Sequence, residues 1–438
     1  MPHPAPRPDR SLHLARFAAL LSFAVATACG DEAAGSRARA ELVVETLAGP
    51  TDARSRLPRF ASGATDAPVL SWVEDLATEG SPRVAELRSA SWVGASWSNA
   101  RRVASGSNWF VNWADFPALS RLDERRTLAQ YLERSAEGRY DYSVQLVLSG
   151  DGGESWSAPQ RLHSHAGPGE HGFVSLVPLA GAGWRAVWLD GRQMGGGDHD
   201  SHTGAMALYT RTISAEGELG AEALLDARVC DCCPTAALRA ADGTVWIAYR
   251  DRGEDELRDI ALLRLAPEER LGDRLESRPE EPAEPVWRSA DGWKIDGCPV
   301  NGPALATHER KLAIAWFTLG RTNTAAVFCA ISDDAGATFA EPVQLAAGDV
   351  LGRVDAVYDR SGALVVSWLD SATEPAQWRV ARIDAQRRLH GPHTLAAASG
   401  ERDSGIGRLT ASGERVYFAF TESSNEQPRV AVRALDWR

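Results

Sequence analysis

Ala186-Val187-Trp188-Leu189-Asp190 is a short apolar run ending on a carboxylate, and its pattern returns along the whole chain. Upstream stand Val69-Leu70-Ser71-Trp72 and Trp109-Phe110-Val111-Asn112-Trp113. Downstream stand Trp246-Ile247-Ala248-Tyr249-Arg250, Ala313-Ile314-Ala315-Trp316-Phe317, Val365-Val366-Ser367-Trp368-Leu369-Asp370 and Val416-Tyr417-Phe418-Ala419-Phe420. Most follow a small-residue strand and a turn such as Ala241-Asp242-Gly243 or Arg360-Ser361-Gly362. Runs rich in Val, Ile, Trp and Tyr, separated by turn residues and lacking a long 3.6-residue period, predict an all-β chain. A recurrence of about 50 to 60 residues fits four strands per unit, the size of a propeller blade. Seven units start near residues 58, 107, 171, 232, 297, 352 and 405. The alternative is six blades, with the irregular stretch 107–162 miscounted and its piece Arg126–Arg134 forming a short helix. The last unit has only three good strands, so Glu41–Leu47 is expected to supply the fourth, close the ring and remove an exposed edge.

Ser149-Gly150-Asp151-Gly152-Gly153-Glu154-Ser155-Trp156 fits S-x-D-x-G-x-x-W, and Ser332-Asp333-Asp334-Ala335-Gly336-Ala337-Thr338-Phe339 fits it with Phe last. A looser echo is Gly94-Ala95-Ser96-Trp97. In such a turn the Asp accepts from backbone amides, the Gly adopts a conformation costly for other residues, and the aromatic packs between strands. The pattern resembles the Asp box of the sialidase (neuraminidase) superfamily, also called the bacterial neuraminidase repeat. The resemblance implies one sialidase-like β-propeller over residues 41–438, with Ser149, Asp151, Gly153, Trp156, Ser332, Asp334, Gly336 and Phe339 as folding devices on the face opposite the active site. Catalytic members of the family carry an arginine triad for the substrate carboxylate, a Tyr–Glu nucleophile pair, an Asp acid/base and an F-R-I-P motif. Ser55-Arg56-Leu57-Pro58 is similar to that motif without its Phe. The resemblance thus offers Arg56 as the first triad arginine, with Arg353 and Arg408 as its partners, against the plainer reading of Arg56 as an exposed linker residue. No Tyr–Glu pair is legible from spacing, since it would be assembled from different blades.

Composition narrows the function classes. The 438 residues are 44% apolar and carry 47 Lys+Arg against 59 Asp+Glu, for a net charge of −12. That apolar fraction builds a core, and scattered arginines among acids argue against nucleic acid as a partner. Residues 1–28 read as an export signal: Arg7, Arg10 and Arg16, then apolar Phe17–Val25, then Ala26-Thr27-Ala28 before Cys29. The junction resembles a bacterial lipobox, which implies lipidation of Cys29, a bilayer as partner and an envelope location, periplasmic or surface-exposed; plain cleavage before an unmodified Cys29 is the alternative. Residues 29–40 read as a flexible tether. Cysteines in an oxidising compartment are disulfide candidates first.

In a propeller, the starts of the units converge on one face near the axis. They read Ser107-Asn108-Trp109, Glu170-His171-Gly172, Cys230-Asp231-Cys232-Cys233-Pro234, Gly297-Cys298-Pro299-Val300-Asn301, Gly352-Arg353 and Gly407-Arg408. Loops after the second strands add Arg192, Met194, His199, His202, Arg250 and Arg252. With Cys29 lipidated and Cys329 a small core hydrophobe, Cys230, Cys232, Cys233 and Cys298 remain. They form disulfides between neighbouring entrances, or a thiolate site for Cu(I) or Zn(II) completed by His171, or a reactive thiol. Arg192, Arg250 and Arg252 are anion-binding candidates unless paired with nearby acids, and Trp109 and Trp113 are candidate stacking surfaces for a sugar. The expected function is an exported lipoprotein whose axial face binds an anionic, glycan-like or metal ligand. The alternatives are an active exo-sialidase or related glycoside hydrolase, and a protein-interaction scaffold at the membrane surface.

Overall fold

The computed structural model describes residues 41–63, 67–76, 83–194, 204–267, 283–423 and 427–438. The expected export signal, Cys29, the tether, His199 and His202 lie outside the described residues. Seven antiparallel sheets follow one another along the chain. Blade 1 comprises Ser55–Phe60, Val69–Leu76, Val84–Val93 and Arg101–Gly106, with a two-residue strand Ser96–Trp97; blade 2 comprises Ala118–Arg121, Thr127–Arg134, Tyr142–Ser149 and Gln160–Arg161. Blade 3 comprises His171–Pro178, Gly183–Asp190, Ala207–Ser214 and Ala223–Asp226; blade 4 comprises Ala236–Arg239, Val245–Arg250, Ile260–Leu265 and Trp287–Arg288. Blade 5 comprises Ala304–His308, Lys311–Thr318, Ala326–Ser332 and Val343–Ala347; blade 6 comprises Val350–Tyr358, Leu364–Asp370, Ala376–Ile383 and Leu389–Ala398. Blade 7 takes Arg408–Ser412, Arg415–Glu422 and Arg429–Trp437 from the C-terminus and its outermost strand, Leu42–Leu47, from the other end of the sequence. That strand runs antiparallel to the last, from Leu42 opposite Trp437 to Leu47 opposite Val432. The count of seven and the closing strand agree with the sequence.

The second strands are apolar without alternation because blades flank them on both faces. Trp72, Trp188, Trp316 and Trp368 sit there, each fully buried. Two expectations are corrected. Thr127–Arg134 is the second strand of blade 2 and not a helix: Leu128–Leu132 are buried throughout, and pairing with Tyr142–Ser149 overrides the helix preference of Leu, Ala, Gln and Glu. Trp109–Trp113 is an irregular approach to blade 2 and not a strand; only Trp109 makes a single bridge, to Glu133, while the Asn112 side chain accepts from the Ala114 amide. The inner strand of that blade therefore starts at Ala118, eleven residues beyond the expected start.

Antiparallel order places the blade entrances and the loops after the second strands on one face, and the loops after the third strands on the other. Both S-x-D-x-G turns belong to the second group. In blade 2, Ser149 Oγ donates to Asp151 Oδ1 at 2.8 Å and accepts from Gly153 N at 2.8 Å, while Asp151 Oδ1 accepts from Glu154 N and Ser155 N at 3.0 Å. Blade 5 repeats this: Ser332 Oγ donates to Asp334 Oδ1 at 2.7 Å, and Gly336, at φ +82°, donates to Ser332 Oγ at 2.8 Å.

Candidate functional site

At the entrances to blades 1, 3 and 6 the inner strand breaks register at Leu57, Phe173 and Arg353, non-glycine residues held at φ +59°, +52° and +56°. Such φ values are strained for bulky side chains and persist where the surroundings over-determine them. The kinks turn the chain at the rim, where side chains from different blades meet.

The four expected cysteines meet there. Cys230, Cys232 and Cys233 are buried and have sulfurs all within 4.8 Å of one another; Cys230 and Cys233 are 3.1 Å apart, and no described cysteine is in a disulfide. Cys298, on the approach to blade 5, is exposed and within hydrogen-bonding reach of Cys232. Burial disfavours a Cys230 thiolate, yet the Cys232 and Cys233 thiols and the Arg258 guanidinium outweigh it and hold the Cys230 pKa well below the ordinary thiol range. Cys232 is pushed the opposite way, chiefly by hydrogen bonding to Cys230. Thiolate character is thus favoured at Cys230, beside the Arg258 guanidinium, and at Cys298, and disfavoured at Cys232 and Cys233. Met194 and Met206 pack in the same apolar cluster as the three cysteines. Cys329 is elsewhere, fully buried in the third strand of blade 5, its thiol pushed up to about 12 by burial.

His171 does not join these sulfurs. Its Nδ1 faces the carbonyls of Tyr142 and Gly169 at 3.2 Å, and its Nε2 lies 3.3 Å from His165 Nδ1 and 3.4 Å from Asp190 Oδ1. His163 stacks on its ring at 3.7 Å, and burial followed by repulsion from His171 lowers the His163 pKa to about 3. The neighbouring Glu170 turns toward the cysteines instead. It accepts from Tyr142 Oη at 2.8 Å, and burial first, with Asp231, Asp115 and Cys298 adding, drives its pKa well above the normal carboxyl range. This Tyr–Glu pair joins the third strand of blade 2 to the entrance of blade 3, and spacing did not disclose it.

The arginine candidates other than Arg408 are occupied separately. Arg56 donates to Asp75 Oδ1 at 3.2 Å, on a carboxylate that Arg83 also holds. Arg353 donates to the Glu401 carbonyl at 2.9 Å and to Ser404 Oγ at 2.6 Å, with its guanidinium 4.7 Å from the Trp113 ring centre. Arg408 lines the central bore. Arg192 is bidentate to Asp190, at 2.8 and 2.6 Å, and also meets Glu222. Arg252 bridges Asp231 and Glu256. Arg250 spends all three guanidinium nitrogens on the carbonyls of Asn301, Arg258 and Phe317, linking blades 4 and 5. Trp109 is buried and stacked on Tyr131 at 4.3 Å, and half-buried Trp113 has the Arg353 guanidinium over its ring.

Sequence reading missed Tyr142, Arg258, Arg59, Asp115 and Asp355. One signal marks Arg59: Leu57-Pro58-Arg59, Phe116-Pro117-Ala118, Cys233-Pro234-Thr235 and Gly302-Pro303-Ala304 each place a proline just before a bore-lining residue.

No protein-family model and no curated protein matches the chain. Among solved structures it is similar to the polysaccharide lyase Uly1, at TM-score 0.53 and 9% identity over 88% of this chain and 90% of that one. The chain is a seven-bladed β-propeller. The propeller is also similar to the Penicillium chrysogenum α-L-arabinanase (TM-score 0.46, 11% identity, 90% of this chain and 97% of that one) and to the Trypanosoma rangeli sialidase (TM-score 0.45, 12% identity, 78% of this chain). It spans 56% of the length of that sialidase. At these identities the likeness concerns the fold and carries no activity.

Proposed function

We propose that the propeller is an exported, lipid-anchored envelope protein that binds one soft metal ion at its entrance face, Cu(I) before Zn(II), through Cys230, Cys232 and Cys233, with Cys298 as an exposed fourth ligand. The observation that carries this is the convergence of three sulfurs within 4.8 Å from a C-x-C-C segment, beside a cysteine of the next blade. Thiolates around one ion stand roughly 3.7–4 Å apart, given a metal–sulfur bond of about 2.3 Å, so small rotations complete the set. Of the three methionines in the sequence, the two beyond Met1 pack with these cysteines. Sulfur ligands select Cu(I) over harder ions.

Anaerobically reduced protein should bind one Cu(I) per chain in competition with a chromophoric chelator. Cys230→Ser and Cys233→Ser should abolish that stoichiometry, and Cys298→Ser should weaken affinity with stoichiometry retained. Protein isolated from its own compartment with these four cysteines in two disulfides would sink the proposal.

A second reading, a sialidase-type hydrolase, draws on the buried Tyr142–Glu170 bond. Against it, Arg56 is committed to Asp75. Release of methylumbelliferone from a sialoside by the wild type but not by Tyr142→Phe would support it.

A further inference from the structure

The bore holds a cavity of about 300 Å³ lined by the inner strands of all seven blades. Most of that lining is small or apolar, as at Ala61, Ala118, Ala236, Ala304 and Ala356. Two guanidiniums break the pattern: Arg59 of blade 1 and Arg408 of blade 7, neighbours across the closure of the ring. Neither makes a hydrogen bond to the described residues. Arg408 Nη1 is 4.0 Å from Asp355 Oδ1, beyond hydrogen-bond range, and its Nε is buried without a partner. The Phe116 ring centre lies 5.2 Å from its guanidinium carbon.

The carboxylates facing these cations are already engaged. Asp355 Oδ2 accepts from Leu409 N at 2.7 Å, and Asp115 Oδ2 accepts from Phe173 N at 2.8 Å. Burial pushes the Asp115 pKa up to about 7, which leaves it a weak counter-ion near neutrality. Burial, then the charge of Arg408, lowers the Arg59 pKa to about 10. Two half-buried cations lining one cavity, one of them with an Nε that is buried and unpaired, are favoured by an acceptor of opposite charge.

We propose that the bore binds one small oxyanion between Arg59 and Arg408, each guanidinium donating to its oxygens, with Asp355 as the carboxylate that weakens the site. Carboxylate and tetrahedral oxyanions share the paired oxygens that a guanidinium fork recognises. The site is distinct from the thiol cluster and does not depend on a metal there.

The test is calorimetric titration of the full mature chain with sulfate, phosphate and acetate, against chloride at matched ionic strength. One saturable site is expected, and the tightest of the three probes tells an inorganic from an organic source. Arg59→Met and Arg408→Met should each weaken it by at least about tenfold, as expected for loss of a charge-assisted bond. Asp355→Asn, which retains an acceptor for Leu409 N, should tighten binding and decides the matter if the arginine variants fail to fold. No saturable binding of any probe by the wild type, or unchanged or weaker binding by Asp355→Asn, overturns the proposal.

Discussion

Tyr142 Oη donates to Glu170 Oε1 at 2.8 Å, a bond between buried side chains that joins blade 2 to the mouth of blade 3 beside the cysteine cluster. Burial raises the Glu170 carboxyl pKa well above the normal range, which the Tyr142 hydrogen bond only partly offsets. A raised carboxyl pKa contributes stability that is fully present below the unfolded-state value and lost as pH rises toward the folded one. Tyr142→Phe removes the offset and leaves an acceptor unmatched. It should cost about 1–3 kcal/mol, with a steeper loss between pH 4.5 and 7.5. Urea denaturation at both pH values checks this; an equal cost at both would contradict a raised Glu170 pKa.

Asp115 is a second buried acid, raised to about 7 by burial. Its contribution is complete below the ordinary Asp range near 4 and lost as pH climbs to about 7. Asp115→Asn keeps an acceptor for Phe173 N and carries no charge. The variant should be more stable than wild type at pH 8, by at most about 4 kcal/mol, and should lose less stability between pH 4 and 7. Thermal midpoints across that range measure the effect.

Of the described cysteines, Cys298 is exposed and the others are buried. Brief alkylation of native, metal-free protein should label Cys298 first, with Cys230, Cys232, Cys233 and Cys329 reacting only after denaturation. Bound Cu(I) should protect Cys298. Peptide mapping by mass spectrometry reads both outcomes, and equal labelling of all five in the native protein would be inconsistent with the burial seen here.

Leu47 ends the closing strand, is 8% exposed and packs in a cluster with Phe60, Trp72 and Tyr417 of blades 1 and 7. Leu47→Ala should destabilise by about 2–5 kcal/mol. Chemical denaturation gives that figure directly. Metal stoichiometry should be unchanged, because blades 4 and 5 carry the cysteines.

Asp334→Ala removes the acceptor of Thr338 N and of the Ser332 and Thr338 hydroxyls, on the face opposite the cysteines. The thermal midpoint should fall while Cu(I) binding stays at one per chain. Loss of metal from this variant would mean that the two faces are coupled.

How far the sequence could be read varied from one segment to another. Trp188 and Trp368 announced their strands because residues packed between two blades are apolar on both faces. Leu42–Leu47 was recognisable as a strand without a hairpin partner beside a unit one strand short. Thr127–Arg134 was misread because its side chains favour a helix locally, and only pairing with Tyr142–Ser149 made it a strand. Trp109–Trp113 failed for the complementary reason: aromatic content resembles a strand, yet Trp109 serves by stacking on Tyr131.

The sequence by itself determined the repeat, the closing strand and the gathering of cysteines at two adjacent entrances, because periodic burial and turn chemistry are written locally; the structure decided for seven blades over six. Only the tertiary structure decided which polar groups meet. It sent His171 to His165 and Asp190 rather than to the sulfurs, tied Arg56 to Asp75, paired Tyr142 with Glu170 and left Arg59 and Arg408, on adjacent blades, lining one bore. These relationships depend on the direction of each side chain at a kinked rim shared by different blades. Residue spacing along a closed ring does not encode that direction.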